Sequence, residues 1–245
     1  MKSKTSKPRK IAASAALVGD LVAGSRILAK QGVLDGYGHV SARSDKRPEH
    51  FILSCSRAPA LVTAADLMEH DADSEPVGDP RKGFLERFIH GEIYRTRPEV
   101  MAVVHSHSPS VIPFGVTKTK LRPIYHMGSF LWSGAPVWDI RQVRAENDIL
   151  VRDRPLGAAL ATALGSCTCV LMRGHGMTVV GESVREAVFR AYYTEMNARL
   201  QLQAEGLEGP IQFLSEAEGK GATAANRGTH ERPWELWKRE ALGGK

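Results

Sequence analysis

The stretch MAVVHSHSPS, residues 101–110, sets two histidines one residue apart at the end of an apolar run. Side chains of a strand alternate between faces with a period of two, so His105 and His107 point the same way. Two imidazoles on one face, at the exit of a buried strand, suit a metal or an anion held between them. A second apolar stretch, CVLMRGHGMTVVG over residues 169–181, places His175 between Gly174 and Gly176 at its end. Glycines there let the backbone turn sharply and come close to a site. Three neutral imidazoles from two strand ends make a tripod for a divalent cation, with positions left open for water or substrate. Manganese and zinc both suit such a donor set. The alternative is three histidines satisfied by local hydrogen bonds.

Outward from these two stretches, helices and strands are interspersed without regular βαβ alternation, which predicts a layered α/β domain around a mixed sheet. Leu17, Leu21, Ile27 and Leu28 recur at near-helical spacing and predict a helix over 11–31, closed by Gly32. GYGHVSAR (36–43) reads as a glycine-rich turn entering a strand, and HFILSCS (50–56) as a second strand. AADLMEHD predicts a helical turn and a strand start, and DSEPVGDPRKG (73–83) a loop. Residues 84–96 predict a helix with Phe84, Leu85, Phe88, Ile89 and Ile93 on its buried side, ended before Pro98. Residues 121–139 read as strands and turns, and 155–164 as a helix. Ser183 and Glu186 have capping-box spacing for the longest helix, which runs to about residue 204 and stops at Gly206. The last 40 residues are weak in pattern, apart from RPWELWK (232–238), whose two indoles either dock a helix or cover an aromatic pocket.

Composition narrows the function classes. The chain has 245 residues, 42% of them hydrophobic and 24% charged, ordinary for a globular protein. No apolar run approaches the roughly 20 residues of a membrane span. The N-terminus lacks the layout of a signal peptide, so a cytoplasmic protein is expected. Net charge is +6, but Lys2, Lys4, Lys7, Arg9 and Lys10 supply five of these charges with no acid among them. The basicity therefore belongs to an expected disordered tail over residues 1–10, and no nucleic-acid groove is supported. Residues 11–245 read as one domain. Three cysteines, Cys55, Cys167 and Cys169, cannot form a paired framework, which fits a reducing compartment.

The order of a glutamate, about twenty residues, HSH, about seventy residues, and GHG resembles the class II aldolase/adducin superfamily. The likeness runs from GYGHVSAR to SVREAVFRAYYTEMNARL. It implies a three-layer αβα sandwich with a mixed, mostly antiparallel central sheet, assembled as a homotetramer with sites at subunit boundaries. It implies one divalent metal, Mn2+ or Zn2+, on His105, His107 and His175, and a catalytic glutamate at Glu86. On spacing alone Glu92 is as eligible, and the family order selects Glu86. Tyr125 and His126 fall where aldolases present an acid tyrosine from the neighbouring subunit, so either is a candidate proton donor.

Departures from the sugar-phosphate members are informative. Those members hold phosphate with a Gly-Asn turn, a Thr-Gly pair and a Ser-Ser pair before the glutamate. Here the corresponding residues are Gly38-His39, Ser56-Arg57 and Phe84-Leu85. A phosphate dianion needs clustered donors, and Phe84 and Leu85 offer none. A flat substrate bearing a carboxylate fits better, with Arg57 as bidentate partner and His39 as a second polar handle. The pattern is similar to the decarboxylase branch of the superfamily. That branch implies a hydroxy-aromatic or hydroxypyridine substrate such as 3-hydroxy-2-methylpyridine-4,5-dicarboxylate or a dihydroxyphthalate. Retro-aldol cleavage and decarboxylation beside a ring hydroxyl both leave a carbanion that a metal stabilises. An aldolase acting on a non-phosphorylated hydroxy-keto acid or a sugar phosphate, and a non-enzymatic adducin-like scaffold, are the competing expectations.

Overall fold

The computed structural model describes residues 10–243, so the basic tail expected over residues 1–10 lies outside them apart from Lys10. In chain order the elements begin with α1 (Ala15–Lys30), β1 (His39–Arg43), β2 (Phe51–Ser54), β3 (Leu67–His70) and α2 (Arg87–Thr96). Next come β4 (Ala102–Ser106), α3 (Ile112–Val116), β5 (Val137–Trp138), α4 (Arg154–Leu164) and β6 (Cys169–Met172). β7 (Gly176–Gly181), α5 (Val184–Glu205), α6 (Glu216–Asn226) and α7 (Glu231–Leu242) complete the chain.

The strands form a seven-stranded sheet in the order β3-β2-β1-β4-β7-β6-β5. Every pairing is antiparallel except β5 with β6. Alternation along the strands sends side chains into two separate apolar layers. Val40, Ala42, Val104, Leu171, Met177 and Val179 join α1, α5 and α7 on one face. Phe51, Leu53, Val103, Val170 and Val180 join α2 and α4 on the other. Helices thus cover both faces of a mixed, mostly antiparallel sheet, the αβα arrangement that the resemblance implies.

Several local expectations are corrected. α1 starts at Ala15, not residue 11, because the Ser14 hydroxyl caps it by accepting from the Leu17 N–H at 3.2 Å. Phe84 and Leu85 precede α2; Phe84 still packs, half-buried, against the layer that α2 covers, while Leu85 is 56% exposed. Segment 82–83 continues the sheet edge instead, with the Ser56 N–H bonded to Lys82 O and a bridge between Cys55 and Gly83. Residues 126–133, read as strands and turns, wind into a 3-10 run that buries Phe130 and Leu131. Gly128 allows this run to reach α5, since a Cβ there would lie 2.4 Å from Asn197 Oδ1. The weakly patterned C-terminus forms α6 and α7, and Trp234 and Trp237 are buried in the α1 and α5 layer. They dock α7 on that layer, and Trp237 also lines a cavity of about 490 Å³ apart from the histidine cluster.

His70, at the end of β3, is fully buried and stacked on Phe51 with centroids 4.9 Å apart. Neither of its ring nitrogens meets a partner among the described residues. Burial pushes its pKa down from 6.5 to about 4. Between those values the folded protein binds fewer protons at this site than the unfolded chain does. Stability contributed by neutral His70 is therefore complete above about pH 6.5 and falls on acidification, by about 2–3 kcal/mol near pH 4.5. His70→Phe keeps the stack and is expected to flatten this acid limb. Urea unfolding at about pH 7 and about pH 4.5 checks it, and an unaltered pH slope would disprove it.

Candidate active site

Register brings the site together. β1 and β4 align His39 with His105, and β4 and β7 align His105 with Thr178. His107 lies one residue past the end of β4, and His175 one residue before β7. Two glycines make the approach possible. Gly38 has a left-handed φ of +82°, and a Cβ there would lie 2.8 Å from His105 O. A Cβ on Gly176 would lie 2.0 Å from Ser106 O, so only glycine lets the start of β7 pass this close to the end of β4.

One donor atom from each of Glu86, His105, His107 and His175 lies within 4.8 Å of all the others. The His107 and His175 Nε2 atoms are 3.0 Å apart. Glu86 Oε2 lies 3.5 Å from the Nε2 of both His105 and His175. Two of the three rings are oriented from behind. His105 Nδ1 faces Met177 O at 3.1 Å, and His175 Nδ1 faces Ile149 O at 2.9 Å. Protons on the two Nδ1 atoms leave the Nε2 lone pairs free for a cation, the usual device by which outer hydrogen bonds aim metal-ligating histidines. The buried His105 Nε2 has no hydrogen-bond partner among the described residues. A donor set of three imidazoles and a carboxylate, with such an orphaned nitrogen, fits a divalent metal site.

The electrostatics agree. Burial opposes ionisation of Glu86, but the His105 and His175 imidazoles and the Val151 N–H, 3.0 Å from Oε1, outweigh it. Its carboxyl is held well below the usual range. Burial pushes His105 down to about 3 and lowers His107, so both stay neutral. Burial also disfavours charge on His175, yet hydrogen bonding to Glu86 raises its pKa overall. The cluster thus presents an ionised carboxylate beside neutral imidazoles, the donor set a divalent cation takes.

Glu86 and His107 of the cluster border a cavity of about 510 Å³. His39, Ser56, Arg57, Phe84 and Leu85, all singled out from the sequence, line it together with Glu86 and His107. Phe84 packs on His39 with ring centroids 4.4 Å apart. Arg57 is half exposed at the wall, with Asp66 Oδ2 3.8 Å from its Nε. Glu92 does not join the cluster: it is buried on another side of α2 and paired with Arg95 and Arg154. Tyr125 and His126 do not line the cavity. His126 borders a separate cavity of about 490 Å³ with Tyr193 and Trp237, and the Tyr125 hydroxyl is buried without a partner among the described residues.

Sequence reasoning missed several residues here. Ile149 and Val151 hold His175 and Glu86 through backbone groups, which no side-chain pattern advertises. His90 is fully buried and hydrogen-bonded to His39. Its signal was the recurrence of Glu86, His90 and Tyr94 every four residues, one stripe of a helix.

Residues 19–202 match the family described as Class II Aldolase and Adducin N-terminal domain. The chain is 39% identical over 248 residues to "Decarboxylase tropJ" of Talaromyces stipitatus, covering 91% of this chain and 93% of that protein. It is 33% identical to the 3,4-dihydroxyphthalate decarboxylase of Arthrobacter keyseri, over 79% of this chain and 80% of the relative. L-fuculose 1-phosphate aldolase from Glaciozyma antarctica PI12 superposes with a TM-score of 0.76 at 22% identity, over 96% of this chain and 93% of its own. At that identity the likeness is one of fold. Family and decarboxylase relatives together support a carboxy-lyase. With the matched segment spanning the sheet and the histidine cluster, the chain belongs to the class II aldolase and adducin family.

Proposed function

We propose that this chain is a divalent-metal-dependent decarboxylase of a hydroxy-aromatic or hydroxypyridine carboxylate, with a dihydroxyphthalate-type dicarboxylate as its foremost substrate class. The observation that carries the reading is the convergence of three imidazoles and Glu86 beside a cavity walled by Phe84, Leu85 and Leu150. Similarity to a 3,4-dihydroxyphthalate decarboxylase supports the substrate class. Residues 11–245 act as one catalytic domain in this reading, in the cytoplasm. No helix among the described residues is long and apolar enough to cross a membrane.

A cation on His105, His107 and His175, Mn2+ or Zn2+, would supply Lewis acidity towards oxygens of the substrate. The chain's own groups do the rest. Phe84 and Leu85 exclude water from the ring faces and offer nothing to a phosphate. Arg57 binds the carboxylate that stays, bidentately, and His39 adds a second contact. Glu86 remains ionised and takes the proton of the substrate hydroxyl at Oε2. Rupture of the ring–carboxylate bond leaves its electron pair on the ring carbon, carbon dioxide departs, and one proton takes its place. Tyr125 and His126 lie outside the cavity of their own chain, so delivery of that proton by either requires a neighbouring subunit of a homo-oligomer, here a tetramer.

The test is carbon dioxide release from 3,4-dihydroxyphthalate and from 3-hydroxy-2-methylpyridine-4,5-dicarboxylate. Chelation is expected to lower the rate at least about a hundredfold, with recovery on adding Mn2+ or Zn2+. Efficient cleavage of a sugar phosphate by the metal-loaded protein would overturn the reading, and an aldehyde from a hydroxy-keto acid would identify an aldolase instead.

A further inference from the structure

Behind the cavity wall, four polar side chains form an unbroken row. His39 Nδ1 lies 2.6 Å from His90 Nε2, His90 Nδ1 lies 2.6 Å from Ser41 Oγ, and Ser41 Oγ lies 2.7 Å from the Tyr94 hydroxyl. Local geometry builds it. His39 and Ser41 are two apart on β1 and share a face, while His90 and Tyr94 are four apart on α2 and share a stripe. All four are buried, the two at the ends to 5% exposure. A buried polar row is costly unless every member is satisfied, and this one is satisfied internally except where it opens on the cavity at His39.

We propose that Tyr94, Ser41 and His90 position His39 as a hydrogen-bond donor, presenting its Nε2–H to an anionic group of the substrate. The proposal deepens the reading above and rests on it for the anion. The order of protons follows from the closed end. Among the described residues, the side-chain partner of the Tyr94 hydroxyl is Ser41, so the phenol donates there; the reverse order would strand its proton inside the protein. Ser41, having accepted, passes its own single proton to His90 Nδ1. Neither imidazole hydrogen-bonds a carboxylate among the described residues, and burial keeps both neutral. His90 therefore carries its proton on Nε2 and donates to His39 Nδ1. One site is left for the His39 proton, Nε2. The Phe84 ring against it holds the imidazole in place. His39 is thus a binding residue, and the three behind it are positioning residues.

Calorimetry on the zinc-loaded full chain tests this with two unreactive probes, phthalate and benzoate. Phthalate offers a second carboxylate and benzoate does not. Tyr94→Phe and Ser41→Ala are each expected to weaken phthalate about tenfold while changing benzoate less than about twofold. His39→Gln should remove the same preference, with no further loss on adding Tyr94→Phe. An unchanged phthalate-to-benzoate ratio in both Tyr94→Phe and Ser41→Ala overturns the proposal. NMR of 15N-histidine protein reads the row by itself: a proton on His39 Nε2 is expected, and one on Nδ1 overturns it. Failure of the unsubstituted protein to bind phthalate counts instead against the dicarboxylate reading.

Discussion

Replacing His175 with alanine is expected to lower carbon dioxide release about a thousandfold and to strip most of the bound divalent metal. The size follows from the chemistry assigned to the site. Charge stabilisation of several kcal/mol in the transition state corresponds to about three orders of magnitude in rate. His175 is the informative ligand because it stands on a turn. Its neighbours Met172 and Gly176 pair across the β6–β7 hairpin through their backbones, so the hairpin does not depend on the imidazole. The substitution is thus expected to cost little stability, within about 1 kcal/mol in thermal melts. Metal content by atomic emission is the direct readout. Retention of metal at the level of the unsubstituted protein would refute the tripod, whatever happened to the rate.

The second large effect is expected from Glu86→Gln, a loss of about a hundredfold or more in kcat with metal still bound. Glutamine keeps the shape and can still accept from the Val151 N–H, 3.0 Å from Oε1. It cannot take a proton. Since the carboxyl of Glu86 is depressed in the folded protein, its charge also contributes stability at neutral pH. That contribution is complete above the ordinary glutamate pKa of about 4.3 and is lost as pH falls through the folded value. Glu86→Gln should therefore remove part of the acid sensitivity of stability as well as the activity. A variant with full kcat would assign the proton transfer to another group.

Much of the architecture was legible because helix and strand periods are written in side-chain type. The helix at 155–164, the apolar strands leading to His105 and His175, and the Ser183 cap all occur within a few residues of where the pattern places them. The Ser183 hydroxyl accepts from the Glu186 N–H as the spacing predicts, though the Glu186 carboxylate reaches the Glu182 N–H and not the cap residue's own. The misreadings share a cause. Residues 121–139 and the C-terminal helices take their conformation from packing on α5 and α1, and that support is absent from any local window. Phe84 and Leu85 looked like the first turn of an amphipathic helix, but the sheet edge captures the backbone just before them.

By itself the sequence determined that His105 and His107 would leave one strand end on a shared face, that His175 would leave a second strand end, and that glycines would let them meet. Only the tertiary structure decided which acid joins them. Glu86 stands just before α2 and Glu92 on it, so their side chains leave in different directions. One turns to the histidines and the other to Arg95 and Arg154. It also decided that His39 has His90, Ser41 and Tyr94 behind it, since strand β1 and helix α2 are separated by some fifty residues of chain and meet only when the sheet is covered.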